Sequence, residues 1–102
     1  MVAVEVAQKF ANALTEKSVL SGRSEEYSVM AGRKFDRIVS ERPNEQFSRT
    51  VHAFVERQTG KLFKPAGWAA PAKNARYDLS TPEGFAQTVE LADPYGSYLY
   101  QR

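Results

Sequence analysis

The chain has 102 residues, 42% of them apolar and 25% charged, which is the size and balance of one globular domain with one core and excludes a disordered or two-domain reading. Fourteen Lys and Arg against 12 Asp and Glu leave a net charge of only +2, so the protein is not polybasic, and affinity for phosphate or a membrane surface has to come from uneven placement of charge. There is no cysteine, which excludes disulfide frameworks, thiolate zinc sites and thiol nucleophiles. No segment has membrane-spanning length, and Met1 to Leu14 is broken by Glu5, Gln8, Lys9 and Asn12 where a signal peptide is continuously apolar, so the expected setting is the cytosol.

From Val2 to about Lys17, Ala3, Val6, Ala7, Phe10, Ala13 and Leu14 recur at three- and four-residue intervals, the spacing of an amphipathic helix. Ser18 to Ser24, containing Gly22, reads as a loop. Tyr27, Val29, Ala31, Phe35, Ile38 and Val39 then mark one strand from about Glu26 to Glu41, bent or bulged near Gly32. A break follows at Arg42, Pro43, Asn44 and Glu45, where proline cannot donate to a ladder and asparagine tolerates turn geometry.

A second strand is expected from Gln46 to Arg57, where Phe47, Arg49, Val51, Ala53 and Val55 alternate with Gln46, Ser48, Thr50, His52 and Phe54. Arg57, Gln58, Thr59 and Gly60 suit a turn closed by a left-handed glycine, leading into a third strand, Lys61 to Lys64. Pairing Arg57 with Lys61 sets Val55 beside Phe63 on one face and Phe54 near Leu62 on the other. Both faces then carry apolar groups, and such a sheet is either covered by helices on both sides or presents one side to another molecule.

Beyond Pro65 the run Ala66 to Tyr77 holds Gly67, Trp68 and Pro71 and reads as an ordered loop. Ser80 and Glu83 form a capping box with Pro82 in the first turn, predicting a helix from about Thr81 to Ala92 with Phe85, Val89 and Leu91 toward the core. Asp93 and Pro94 end it, and the tyrosine-rich tail Tyr95 to Arg102 is expected to pack on the body. The sum is an α+β fold: a three-stranded antiparallel meander with a Thr-Gly hairpin, flanked by an N-terminal amphipathic helix and a C-terminal helix, in one domain covering residues 1–102.

Catalysis has little to stand on. The lone histidine, His52, lies mid-strand, and no nucleophile elbow, P-loop, dinucleotide fingerprint or zinc-helix motif is present. A single strand histidine is more often structural than a base, and Glu56, four residues on, is too distant to form an obvious dyad. No enzyme activity, cofactor or metal is therefore expected. The basic residues are more suggestive. Arg33, Lys34 and Arg37 cluster in one strand, while Lys61, Lys64, Lys73 and Arg76 bracket the third strand and its loop, interleaved with Phe63, Trp68 and Tyr77. Cations neutralise phosphates and exposed rings stack on unpaired bases, so the set Arg33, Lys34, Arg37, Lys61, Lys64, Trp68, Lys73, Arg76 and Tyr77 is the candidate surface for nucleic acid or another partner. The plainer alternative is that Phe63 and Trp68 are core and the charges a solvated rim.

The order helix, three antiparallel strands, helix is shared with the double-stranded RNA-binding domain, which uses basic residues near the start of its last helix. Here that helix opens with Ser80, Thr81, Pro82 and Glu83, and the lysines are missing. Closer in sequence, Val51 to Leu79 together with Gly32 to Val39 resembles small proteins of tailed bacteriophages, with their Gly-Arg-Lys-aromatic strand, Val-His-Ala-Phe-Val hairpin closed by Thr-Gly, and Lys-x-Ala-x-Trp-x-x-Pro-Ala-Lys loop. Gly32, Arg33, Lys34, His52, Phe54, Lys64, Trp68, Pro71, Lys73 and Arg76 carry the likeness, and Pro65 departs from it. The resemblance implies a setting, the host cytoplasm, and no mechanism. It leaves three expectations: a non-enzymatic protein contacting nucleic acid, a factor binding a host or phage protein through the free sheet face or tyrosine tail, and a binder of a small nucleotide-like ligand. The oligomeric state is open.

Overall fold

Five strands, not three, make the sheet. The computed structural model describes residues 4–42, 49–93 and 97–100. Its elements are α1 (Val4–Leu20), β1 (Glu26–Met30), β2 (Phe35–Glu41), β3 (Thr50–Glu56), β4 (Lys61–Pro65), β5 (Pro71–Asp78), α2 (Pro82–Leu91) and a 3-10 turn at Ser97–Tyr100. The strands pair antiparallel in the order β1-β2-β3-β4-β5, a meander with β1 and β5 at its edges. The expected turn residues Pro43 to Glu45, the start of the second strand at Gln46 to Ser48, and Tyr95 in the tail lie outside the described residues.

The expected bent strand from Glu26 to Glu41 is a hairpin of β1 and β2, with Met30 opposite Arg37. Its turn is held from a distance. Gly32 N–H donates to Asp36 Oδ1 at 3.1 Å, and Arg57 Nη1 donates to the Gly32 carbonyl at 2.9 Å. A Cβ at Gly32 would run into the Phe35 carbonyl oxygen, so the residue must be glycine although its φ is not positive. Asp36, with no exposed surface, lies 3.3 Å from Arg57 Nε.

The Thr-Gly hairpin forms with Gly60 at φ 78° and its N–H donating to the Glu56 carbonyl at 2.8 Å. That bond encloses residues 57–60 in the loop, so Glu56 rather than Arg57 closes the ladder. Phe54 therefore faces Phe63 and Val55 faces Leu62, one step from the expected register. A one-residue slip exchanges faces. The expected loop after Pro65 is a short turn and then β5. No residue of this edge strand is fully buried, which suits its polar Lys73, Asn74 and Arg76, and its proline occupies the first position, opposite Pro65 at the end of β4.

Both helices cover one face. Ala7, Phe10, Ala11 and Leu14 of α1 pack on Tyr27, Ile38, Ala53, Val55 and Leu62, with Phe85 and Val89 of α2 against the same core. Phe10 and Phe85 meet edge to face at 6.2 Å. Leu91, expected in the core, points outward at 44% exposure. The N-cap of α2 is Thr81, not Ser80: its side chain accepts from Gly84 N–H at 3.0 Å, while Ser80 bonds back to Asp78. Helix α1 runs three residues beyond its expected end, and Lys17 Nζ donates to the carbonyls of Val89, Glu90 and Ala92 at 2.6, 2.8 and 2.7 Å, satisfying the C-terminus of α2.

Glu25 joins the end of α1 to the sheet. It accepts from Arg23 at 2.8 and 2.9 Å, Arg42 at 3.2 Å and Ser18 at 3.3 Å. The Arg23 guanidinium holds this carboxyl down to about 2, against the opposing effect of burial. The contribution to stability is complete above the ordinary value of 4.5 and is lost as pH falls toward 2. Glu25→Gln is expected to flatten the fall in melting temperature over that window; an unchanged slope would contradict the assignment.

Candidate functional site on the second sheet face

Strand alternation sends Phe35, Arg37 and Val39 of β2, Phe54 of β3 and Phe63 of β4 away from the helices. Phe35 meets Phe54 and Phe63 edge to face, at 6.3 and 5.4 Å between centroids. Arg37 is paired in register with Phe54, and its guanidinium lies 5.6 Å from that ring and 5.0 Å from Trp68. Trp68 arrives from the β4–β5 turn, which is closed by Ala66 N–H to the Ala70 carbonyl at 2.9 Å. The Trp68 carbonyl accepts from Arg37 Nε at 2.8 Å, tying the turn across the face. The indole remains 45% exposed.

Two residues outside the expected set complete this surface. Arg49 places its guanidinium 6.0 Å from the Trp68 ring. Met30 lends its sulfur to both arginines, 3.4 Å from Arg49 Nη2 and 3.8 Å from Arg37 Nη1. Arg49 was detectable as a member of the alternating series Phe47, Arg49, Val51; Met30 gave no signal, since its role depends on the turn that brings β1 beside β2.

Of the sequence-derived set, Lys34, Arg37 and Trp68 converge here, with Lys34 Nζ 5.9 Å from the Phe35 ring and Arg33 exposed in the same turn. Lys61 opens β4 opposite Asp78, exposed, near the hairpin whose Arg57 N–H bonds the Lys34 carbonyl. Lys64 is half-buried in β4, and Lys73 is exposed on β5.

Arg76 and Tyr77 do not belong to this surface. A register shift between Leu62 and Phe63 leaves Arg76 as an extra residue in β5. Both side chains strap the C-terminal turn to the helix side: Arg76 Nε donates to the Leu99 carbonyl at 2.7 Å and Tyr77 Oη to the Tyr98 carbonyl at 2.8 Å. A second bulge, between Ile38 and Val39 where they pair with β3, leaves His52 extra and sends it to that side as well. His52 Nε2 shares a 2.7 Å hydrogen bond with Tyr98 Oη, and its ring packs edge to face on Tyr27 at 5.2 Å. Burial pushes the imidazole down to about 4, only partly offset by Asp93, and pushes Tyr27 up to about 12 and Tyr98 upward as well. A histidine held neutral and enclosed in this way is a structural group. The tail thus packs on the body through Tyr98 and Leu99, as its composition implied.

A cleft of about 250 Å³ lies on the helix side, lined by Leu14, Lys17, Arg23, Tyr27 and Asp93 among others, none of them from the aromatic face. No helix among the described residues is long and apolar enough to cross a membrane.

The chain is thus a small α+β protein with a five-stranded antiparallel meander and helices on one face. On the other, Phe54 and Phe63 are buried at 2% and 8% exposure, so Phe63 is core as the plainer reading expects, and the partly exposed Trp68 with Arg37 and Arg49 forms the accessible part. The chain belongs to the DUF7717 family, a family of unknown function, whose model matches residues 1–101. No curated protein and no solved structure matches it.

Proposed function

We infer that this is a non-enzymatic binding protein, acting in the phage setting its sequence resembles, and that it contacts nucleic acid through the second sheet face. The observation that carries this reading is the pairing of Arg37 with Trp68. A guanidinium stacked on an indole and hydrogen-bonded to its carbonyl is a fixed cation beside an exposed ring, the two elements that nucleic-acid surfaces combine. Lys34, Arg33 and Arg49 add positive charge around it. With three cations on phosphates, affinity should fall about 20-fold between roughly 50 and 200 mM salt, from the slope for single strands.

The test is fluorescence anisotropy with labelled DNA and RNA at both salt concentrations. Arg37→Glu and Trp68→Ala are expected to abolish binding, while Lys9→Glu, on the exposed side of α1, leaves it unchanged. Binding that ignores salt and survives Arg37→Glu would overturn the reading and favour its rival, a protein partner docked on the same face with Trp68 and Met30 as anchors. That rival no longer includes Tyr98, which is 1% exposed.

A further inference from the structure

Arg37 and Arg49 are neighbours of like charge. They approach the same Trp68 ring, at 5.0 and 6.0 Å, and the same Met30 sulfur, which is a weak acceptor and carries no charge. Among the described residues one carboxylate stands near the pair, Glu41, at 3.9 Å from Arg49 Nε, with both side chains about half exposed. Arg37 has none within ion-pair distance there, its Nε being committed to the Trp68 carbonyl. Two guanidinium groups sharing neutral partners, with one long, half-exposed carboxylate contact for the pair, leave net positive charge and N–H donors at one spot. The group that fits is an anion with several acceptor oxygens, and a phosphodiester matches the guanidinium fork.

We propose that Arg37 and Arg49 clamp one backbone phosphate of a single strand while Trp68 stacks on the adjoining unpaired base. This deepens the nucleic-acid reading and rests on it. The geometry carries the preference for unpaired strands. Arg37 and Arg49 lie over the Trp68 ring at 5.0 and 6.0 Å while the residue stays 45% exposed, so the clamp adjoins an accessible part of the ring, as a phosphate adjoins its own base in a single strand. In a duplex the base faces are stacked on one another and closed to the indole. The ring is the chain's one tryptophan, so its emission reports on the site alone.

The experiment titrates the intact protein with a single strand of about 12 nucleotides, within the site sizes of small single-strand binders, and with the matching blunt duplex, following anisotropy and Trp68 emission together. The single strand is expected to bind at least about tenfold more tightly than the duplex and to quench the indole. Arg37→Lys and Arg49→Lys, which keep the charge and lose the fork, should each weaken single-strand binding about tenfold, with unchanged melting temperatures showing that the fold is intact. Equal binding of strand and duplex without quenching, or full affinity in both lysine variants, would overturn the clamp and leave the broader nucleic-acid reading standing. Failure of both probes to bind at low salt would overturn the two together.

Discussion

Replacing Arg57 by alanine is expected to cost about 3 kcal/mol, in the range for orphaning one partner of a buried ion pair, and to lower the melting temperature by about 12 °C or more for a domain of this size. Asp36, its partner at 3.3 Å, has no exposed surface, and without Arg57 its carboxylate keeps, among the described residues, the Gly32 N–H alone. The converse change should be milder. Arg57 is 34% exposed along its side chain, so after Asp36→Ala the guanidinium can turn toward water. The double variant should be more stable than the two losses added together predict, because the buried charge has gone with its partner. Chemical denaturation of the four proteins measures this. Additive losses, or Asp36→Ala costing more than Arg57→Ala, would show that the pair is not what holds the β1–β2 turn to β3.

Acid should destabilise the protein through His52 in a window distinct from that of Glu25. Both folded and unfolded chains hold this imidazole neutral above its ordinary value of 6.5. Between 6.5 and about 4 the unfolded chain takes up a proton that the folded chain refuses, so stability declines as pH falls through this interval and levels off below it. At about 1.4 kcal/mol per pH unit the full loss is about 3 kcal/mol. His52→Gln lowers stability at neutral pH by disturbing the bond to Tyr98, yet it should remove the slope between 6.5 and 4. A slope that persists in His52→Gln would assign the acid sensitivity to another group.

Local signals revealed the elements whose causes are local. The spacing of Ala7, Phe10 and Leu14 defines α1 because one helix face suffices to bury them, and Thr59-Gly60 marks its hairpin because the left-handed glycine is a property of the turn itself. The β1–β2 turn escaped notice because Gly32 is held by Asp36 and by Arg57, 25 residues away, a contact no local pattern displays. Strand β5 gives no alternating signal because none of its residues is fully buried and a bulge interrupts its register. The candidate site was legible in part. Arg37 and Trp68 were both recognisable as unusual residues, but the fold alone joins them, 31 residues apart. Arg76 and Tyr77 fall outside the surface they are grouped with in the sequence: Arg76 is the extra residue of a bulge in β5, Tyr77 pairs with the core residue Leu62, and both bond the C-terminal turn.

The most direct test of the binding surface is amide and indole chemical-shift mapping of the labelled protein as a single-stranded oligonucleotide is added. Shifts are expected to be confined to residues 30–37, 49–54 and 63–68, with the Trp68 indole N–H among the largest. Shifts centred on α1, α2 and the C-terminal turn, or none at saturating oligonucleotide, would contradict it.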